Sequence, residues 1–126
     1  MKVGSWLLIG LLFLLITGCA TAPAGPPKPP AVDVTGVWEG SWFGSYGRGE
    51  ISLTLQQTGA KVEGEMRLSA GPPELRSARV DGAVAGSDFN FTSEGSFRAY
   101  LTVKGNEMSG PFTYQYSNQM TLRRKK

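Results

Sequence analysis

Between Thr35 and Arg123 apolar and polar residues alternate with a period of two, and no helical period interrupts them. GEISLTLQQ places Ile51, Leu53 and Leu55 on one face and Ser52, Thr54 and Gln56 on the other. KVEGEMRLS sets Val62, Met66 and Leu68 against Glu63, Glu65 and Arg67. SFRAYLTV sets Phe97, Ala99, Leu101 and Val103 against Arg98, Tyr100 and Thr102, and EMSGPFTY aligns Met108, Phe112 and Tyr114. One apolar face backed by a polar one is the pattern of antiparallel strands covering a single core.

The alternation predicts eight strands, at 34–43, 50–57, 61–68, 79–84, 88–92, 96–103, 107–114 and 119–124. Gly-centred breaks separate several of them: Thr58-Gly59-Ala60, Ala85-Gly86-Ser87, Glu94-Gly95 and Lys104-Gly105-Asn106. Glycine accepts the positive φ that tight hairpin turns require. The expected fold is all-β: a small eight-stranded antiparallel up-and-down barrel, which removes sheet edges by closing on itself. Its inward set holds about twenty large residues, each worth roughly 1.5–3 kcal/mol on full burial. An eight-stranded barrel is just wide enough to be filled by side chains. Gly36, Gly40, Gly64, Gly82 and Gly110 point the other way, since a missing side chain leaves space.

Two segments echo each other. LQQTGAKVEGEM (Leu55–Met66) and LTVKGNEMSGPF (Leu101–Phe112) share L-x3-G-x2-φ-x-G-x-φ, φ being apolar. Each reads as a hairpin whose inward glycine, Gly64 or Gly110, permits sharp coiling of the second strand. An even strand number puts both termini at one end, beside the turns at 58–60, 85–87 and 104–106. The longer connections, Gly44–Gly49, Ser69–Ala78, Ser93–Gly95 and Gln115–Asn118, then share the opposite end. Binding residues on such scaffolds favour the longer loops. The candidate contact residues are therefore Tyr46, Arg48, Glu74, Arg76, Tyr114 and Tyr116, an aromatic-plus-arginine set typical of protein-binding hot spots.

Gly36-Val37-Trp38 resembles the G-x-W that opens the barrel of lipocalins and related calycins. That resemblance implies that Trp38 plugs the closed end and that a basic residue of the last strand, Arg123 or else Arg124, packs across it. The chain lacks the C-terminal helix, the disulfides and much of the length of lipocalins. The barrel and the role of Trp38 carry over, and ligand transport does not.

At the N-terminus Lys2 precedes an unbroken apolar run of 11 residues, Trp6 to Ile16, followed by ITGCA. A membrane-spanning helix needs about 20 residues, so the run suits a secretory leader. Ile16-Thr17-Gly18-Cys19 resembles the lipobox of bacterial lipoprotein precursors at all four positions. The resemblance implies a signal-peptide helix over 1–18, diacylglyceryl modification of Cys19, and cleavage before it. Acyl chains, two or three together, hold a protein on a membrane almost permanently. Ala20, rather than Asp, follows Cys19, which by the same resemblance favours the outer membrane, facing the periplasm. Residues 19–33 carry ATAPAGPPKPPAVD after the cysteine, a proline-rich stretch suited to a tether in polyproline II geometry. Residues 34–126 form the barrel domain with a basic tail.

Formal charge is +3, but four of the 13 basic residues form the terminal run Arg123, Arg124, Lys125, Lys126, and Lys2 leaves with the leader. The body is slightly acidic, which is not the footprint of a nucleic-acid binder. The tail, beside the tether, is expected to touch anionic headgroups. Cys19 is the single cysteine and histidine is absent, so intramolecular disulfides, His-ligated metal sites and His-based catalysis are excluded. No cofactor motif, metal spacing or nucleophile–base–orienter set stands in the chain. The expected role is a non-enzymatic binding or interaction module of the cell envelope, its partner an envelope protein. The alternatives are a calycin-like carrier of a small apolar ligand and a hydrolase inhibitor. A cavity below roughly 100 Å³ would weigh against a carrier, since ligand pockets usually reach about 300 Å³.

Overall fold

The computed structural model describes residues 28–45 and 47–126; the expected signal-peptide helix, Cys19 and the first part of the tether lie outside the described residues. Eight strands follow one another: β1 (Gly36–Gly44), β2 (Gly47–Thr58), β3 (Lys61–Leu68), β4 (Ser77–Ala85), β5 (Asp88–Thr92), β6 (Arg98–Lys104), β7 (Glu107–Tyr114) and β8 (Tyr116–Arg124). Each pairs antiparallel with the next, and β1 pairs with β8, so the sheet closes into a barrel as the alternation predicts. Three strands start and stop at the predicted residues, β3, β5 and β7, each starting just after a tight Gly-centred turn.

Residues 44–49 and 115–118, expected as longer connections, are instead tight hairpins. β2 already begins at Gly47 and β8 at Tyr116, with Gly44 paired to Gly47 and Tyr114 to Tyr116. Ladder bonds extend both strands past the point where apolar residues stop marking them. Gln115, between β7 and β8, takes φ 71°, a rarely populated region for a residue other than glycine. The substantial loop of the open end runs from Ser69 to Arg76 and contains one 3₁₀ turn, Pro73–Leu75.

The interior is filled from end to end. Trp38, Leu53, Val62, Met66, Val80, Phe89, Ala99, Met108 and Leu122 are all wholly buried. A ladder of aromatic rings climbs one side: Phe89 to Phe91 at 5.1 Å, Phe91 to Phe97 at 5.7 Å and Phe97 to Phe112 at 5.1 Å, with Trp42 edge-on to Phe112 at 6.2 Å. Four of the five inward glycines, Gly40, Gly64, Gly82 and Gly110, leave no room, contrary to expectation. A Cβ on Gly64 would stand 2.0 Å from the Thr54 carbonyl oxygen, and one on Gly110 would stand 2.2 Å from that of Tyr100. Gly40 and Gly82 likewise face neighbouring backbone, at 1.8 and 2.5 Å. The strands coil so tightly here that the adjacent main chain takes the side chain's place. Gly64 and Gly110 thus hold equivalent positions in the two echoing hairpins, each against the residue before the shared leucine.

Trp38 seals one end. Its indole Nε1 donates to the Val34 carbonyl at 2.9 Å, and Val34 is itself fully buried beneath the barrel. The cation lying across the ring is Arg124, 4.4 Å from the ring centroid, and not Arg123. The reason is parity: Met120, Leu122 and Arg124 share the inward side of β8, whereas Arg123 points out and pairs with Glu107 at 3.4 Å. Arg124 also donates to the carbonyls of Thr35 (2.6 Å) and Asp33 (2.8 Å) and to Asn106 Oδ1 (3.1 Å).

The last part of the proline-rich stretch packs against the barrel. Ala31 N–H donates to the Gly86 carbonyl at 2.8 Å, Gly86 N–H donates to that of Pro29 at 3.1 Å, and Gln57 Nε2 donates to that of Val32 at 3.2 Å. Residues 29–32 thus satisfy backbone groups of the β4–β5 turn and the Gln57 side chain.

Candidate binding surface at the open end

The end opposite Trp38 is closed by the Ser69–Arg76 loop. Its neck is tied by Ser69 N–H to the Glu50 carbonyl (3.0 Å), Glu50 N–H to Ser69 Oγ (2.8 Å) and Leu68 N–H to the Arg76 carbonyl (3.3 Å). Pro72 and Pro73 stiffen the loop, and Leu75 drops into the barrel mouth, 2% exposed. The Tyr114 hydroxyl, on β7, donates to Glu74 Oε1 and latches the loop from above. That bond holds the Glu74 carboxyl below its ordinary 4.5.

Beneath the loop lies a cavity of about 20 Å³, lined by Trp42, Leu68, Pro72, Leu75, Phe112, Tyr114 and Asn118. That is room for about one water molecule. Among the described residues Trp42 Nε1 and Asn118 Oδ1 are buried without a hydrogen-bond partner, the first beside Gly49 and the second beside Gly44. Asn118 Nδ2 donates to the Tyr116 carbonyl at 2.8 Å, which fixes the amide.

Outside the barrel two open grooves meet at Glu50. One, of about 710 Å³, runs under the β1–β2 hairpin past Ser41, Phe43 and Arg48. The other, of about 620 Å³, runs along β1 to β3 past Glu39, Arg67, Ser69 and Arg76. Phe43 is 59% exposed and stands directly opposite Arg48 in the β1–β2 ladder.

The six residues expected at the contact surface therefore divide. Arg48 and Arg76 border the paired grooves. Glu74 and Tyr114 form the latch. Tyr116 opens β8 at the rim, 54% exposed. Tyr46 lies outside the described residues. Phe43, which its polar-face position between Trp42 and Gly44 already marks as outward in the sequence, lines the first groove. Sequence reasoning missed Leu75: a single leucine inside PPELRS carries no periodic signal.

No protein-family model matches the chain, and no curated protein is similar to it in sequence. Among solved structures, a crystal structure of a mutant of the fluorescent protein UnaG is similar at 12% identity and a TM-score of 0.47. The match covers 74% of this chain and 96% of that one.

Proposed function

We propose that this protein is a lipid-anchored, non-enzymatic module of the bacterial envelope that binds another protein through the outer face of its open end. The observation that carries this reading is the filled interior. With an internal cavity of about 20 Å³, ligand-sized concavities lie outside the barrel, the two grooves that meet at Glu50 among them. Those two grooves present Phe43, Arg48 and Arg76, a composition suited to a protein hot spot. The tether joins the barrel at the opposite end, beside Gly86, so an anchor at Cys19 leaves the grooves directed away from the bilayer. A hydrolase taken in inhibitory contact is one partner of this kind.

The test is a photo-crosslinking amino acid at position 43 in the native bacterium, with Asn90 on the far wall as control site. A discrete adduct from position 43 that disappears with Arg48→Ala supports the reading. Equal or absent adducts from the two sites overturn it. Intact mass of the membrane-extracted protein tests the anchor: a chain beginning at Cys19 with acyl mass is expected.

A second reading, a carrier of a small apolar ligand, is favoured by one observation. Among the described residues Trp42 Nε1 and Asn118 Oδ1 are a buried donor and acceptor with no hydrogen-bond partner, near a loop that the Tyr114–Glu74 bond latches. Such a ligand would displace Leu75 and bring a polar group to both atoms. A non-covalent adduct in native mass spectra separates this reading from the first.

A further inference from the structure

The lysines of the folded part are segregated. Lys28, Lys61, Lys104, Lys125 and Lys126 account for all lysines after Lys2, and every one lies at the Trp38 end of the barrel. The basic residues of the walls and the open end, Arg48, Arg67, Arg76, Arg79 and Arg98, are all arginines. Topology spreads the lysines around the base. Lys61 opens β3 at the β2–β3 turn, and Lys104 closes β6 at the β6–β7 turn. Lys28 lies against the β4–β5 turn, where a Cβ on Gly86 would meet its Cδ at 3.5 Å. Lys125 and Lys126 follow β8. All five are exposed.

Five of the ten acidic residues, Asp33, Glu39, Glu63, Asp88 and Glu107, share this end, and most are engaged. Glu107 pairs with Arg123, Glu63 with Lys61 at 3.2 Å, and Glu39 with Lys125 at 4.0 Å. Asp33 accepts from Thr35 N–H at 2.9 Å, and Asp88 closes the β4–β5 turn. Among the described residues Lys28, Lys104 and Lys126 make no ion pair within 4.0 Å. The tail itself is not a free basic run, because Arg124 is spent on Trp38 and Arg123 on Glu107.

We infer that the base of the barrel is a membrane-facing surface, a ring of lysines that rests on anionic phospholipid headgroups and orients the open end outward. The inference rests on the envelope-anchor reading, since the same end carries the tether. From Cys19 to Lys28 an extended chain reaches roughly 28 Å, at about 3.1 Å per residue, so an anchored barrel is held within reach of the surface. Lysine ammonium groups are compact, hydrated and mobile, suited to diffuse attraction to a headgroup layer rather than to one fixed fork-shaped partner. Anionic leaflets attract such residues when they lie within a Debye length, about 8–10 Å at physiological salt.

The test uses the mature chain from residue 19 with Cys19→Ser, sedimented with vesicles of one part phosphatidylglycerol to two parts phosphatidylcholine, and with phosphatidylcholine alone. Binding to the anionic vesicles that is lost at high salt is expected. Lys28→Gln, Lys104→Gln and Lys126→Gln together should weaken it about a hundredfold, at about fivefold per lysine near the surface. Arg67→Gln, Arg79→Gln and Arg98→Gln remove the same charge from the walls and should change it far less. Absence of binding to anionic vesicles, or equal loss in the two triple variants, overturns the inference. No acyl group takes part in this assay, so a native chain found unacylated would remove the anchor reading and leave the vesicle result standing.

Discussion

Arg124, on β8, lies across the indole of Trp38, on β1, with its guanidinium carbon 4.4 Å from the ring centroid. It joins three things at once: the plug of the barrel, the seam between first and last strands, and the incoming segment at Asp33 and Thr35, whose carbonyls it binds. Arg124→Ala should therefore cost about 2–4 kcal/mol, from a cation–π contact and two charge-assisted hydrogen bonds. Arg123→Ala, which removes one exposed ion pair, should stay within about 0.5 kcal/mol. Urea denaturation of the two variants checks this, and similar midpoints would show that the clamp contributes little.

The paired glycines give a second contrast. Gly110→Ala sets a methyl group against the Tyr100 carbonyl and must push two strands apart, so a loss of about 3 kcal/mol or a failure to fold is expected. Gly105, at φ 61° in the β6–β7 turn, has open space around it. Gly105→Asn should cost less than about 1 kcal/mol, since asparagine tolerates that conformation. Thermal unfolding separates the two, and the same ranking should hold for Gly64→Ala against Gly59→Asn.

Much of this was legible in the residues. The starts of β3, β5 and β7, each just after a Gly turn, were placed to the residue, and the strands entering those turns run one residue further than the alternation marks. The starts of β2 and β8 were not so placed, since Gly47-Arg48-Gly49 and Tyr116-Ser117-Asn118 carry no apolar alternation and owe their extension to ladder bonds with β1 and β7. The choice between Arg123 and Arg124 was decidable by parity from Leu122. The filling of the barrel was not, because an inward glycine reads the same whether it faces a void or a neighbouring backbone. The docking of Pro29–Val32 was hidden by a composition that equally suits a free tether.

The loop latch is pH-sensitive, and its direction follows from Glu74. The Tyr114 hydrogen bond lowers the folded-state value of the carboxyl, so its contribution is fully present above the ordinary 4.5 and is lost as pH falls through the lowered value. Hydrogen exchange in residues 69–76, corrected for intrinsic rates, should speed up in that acid range ahead of β3 and β4. In Tyr114→Phe the loop should already exchange faster at neutral pH and show a weaker acid transition. Identical profiles in the two proteins would rule the latch out.

Leu75→Ala should cost about 2–4 kcal/mol if the mouth does not collapse, since it enlarges the cavity beside Trp42 and Asn118. It also provides a direct probe of the carrier reading. If the mouth is a concealed ligand site, the variant should bind small apolar dyes that the parent excludes, with a change in tryptophan emission. A destabilised variant that binds no dye would leave the leucine as packing alone.

The seam between β1 and β8 has a bearing on how the chain is made. Trp38 is synthesised early, and the strand that covers it is the last of the eight to appear. Until that strand arrives, the first has a single neighbour and the barrel stands open, so the long-range pairing that completes it waits for the whole length of the domain. A polypeptide built this way stays slack while it leaves the ribosome. It locks when its final strand has emerged.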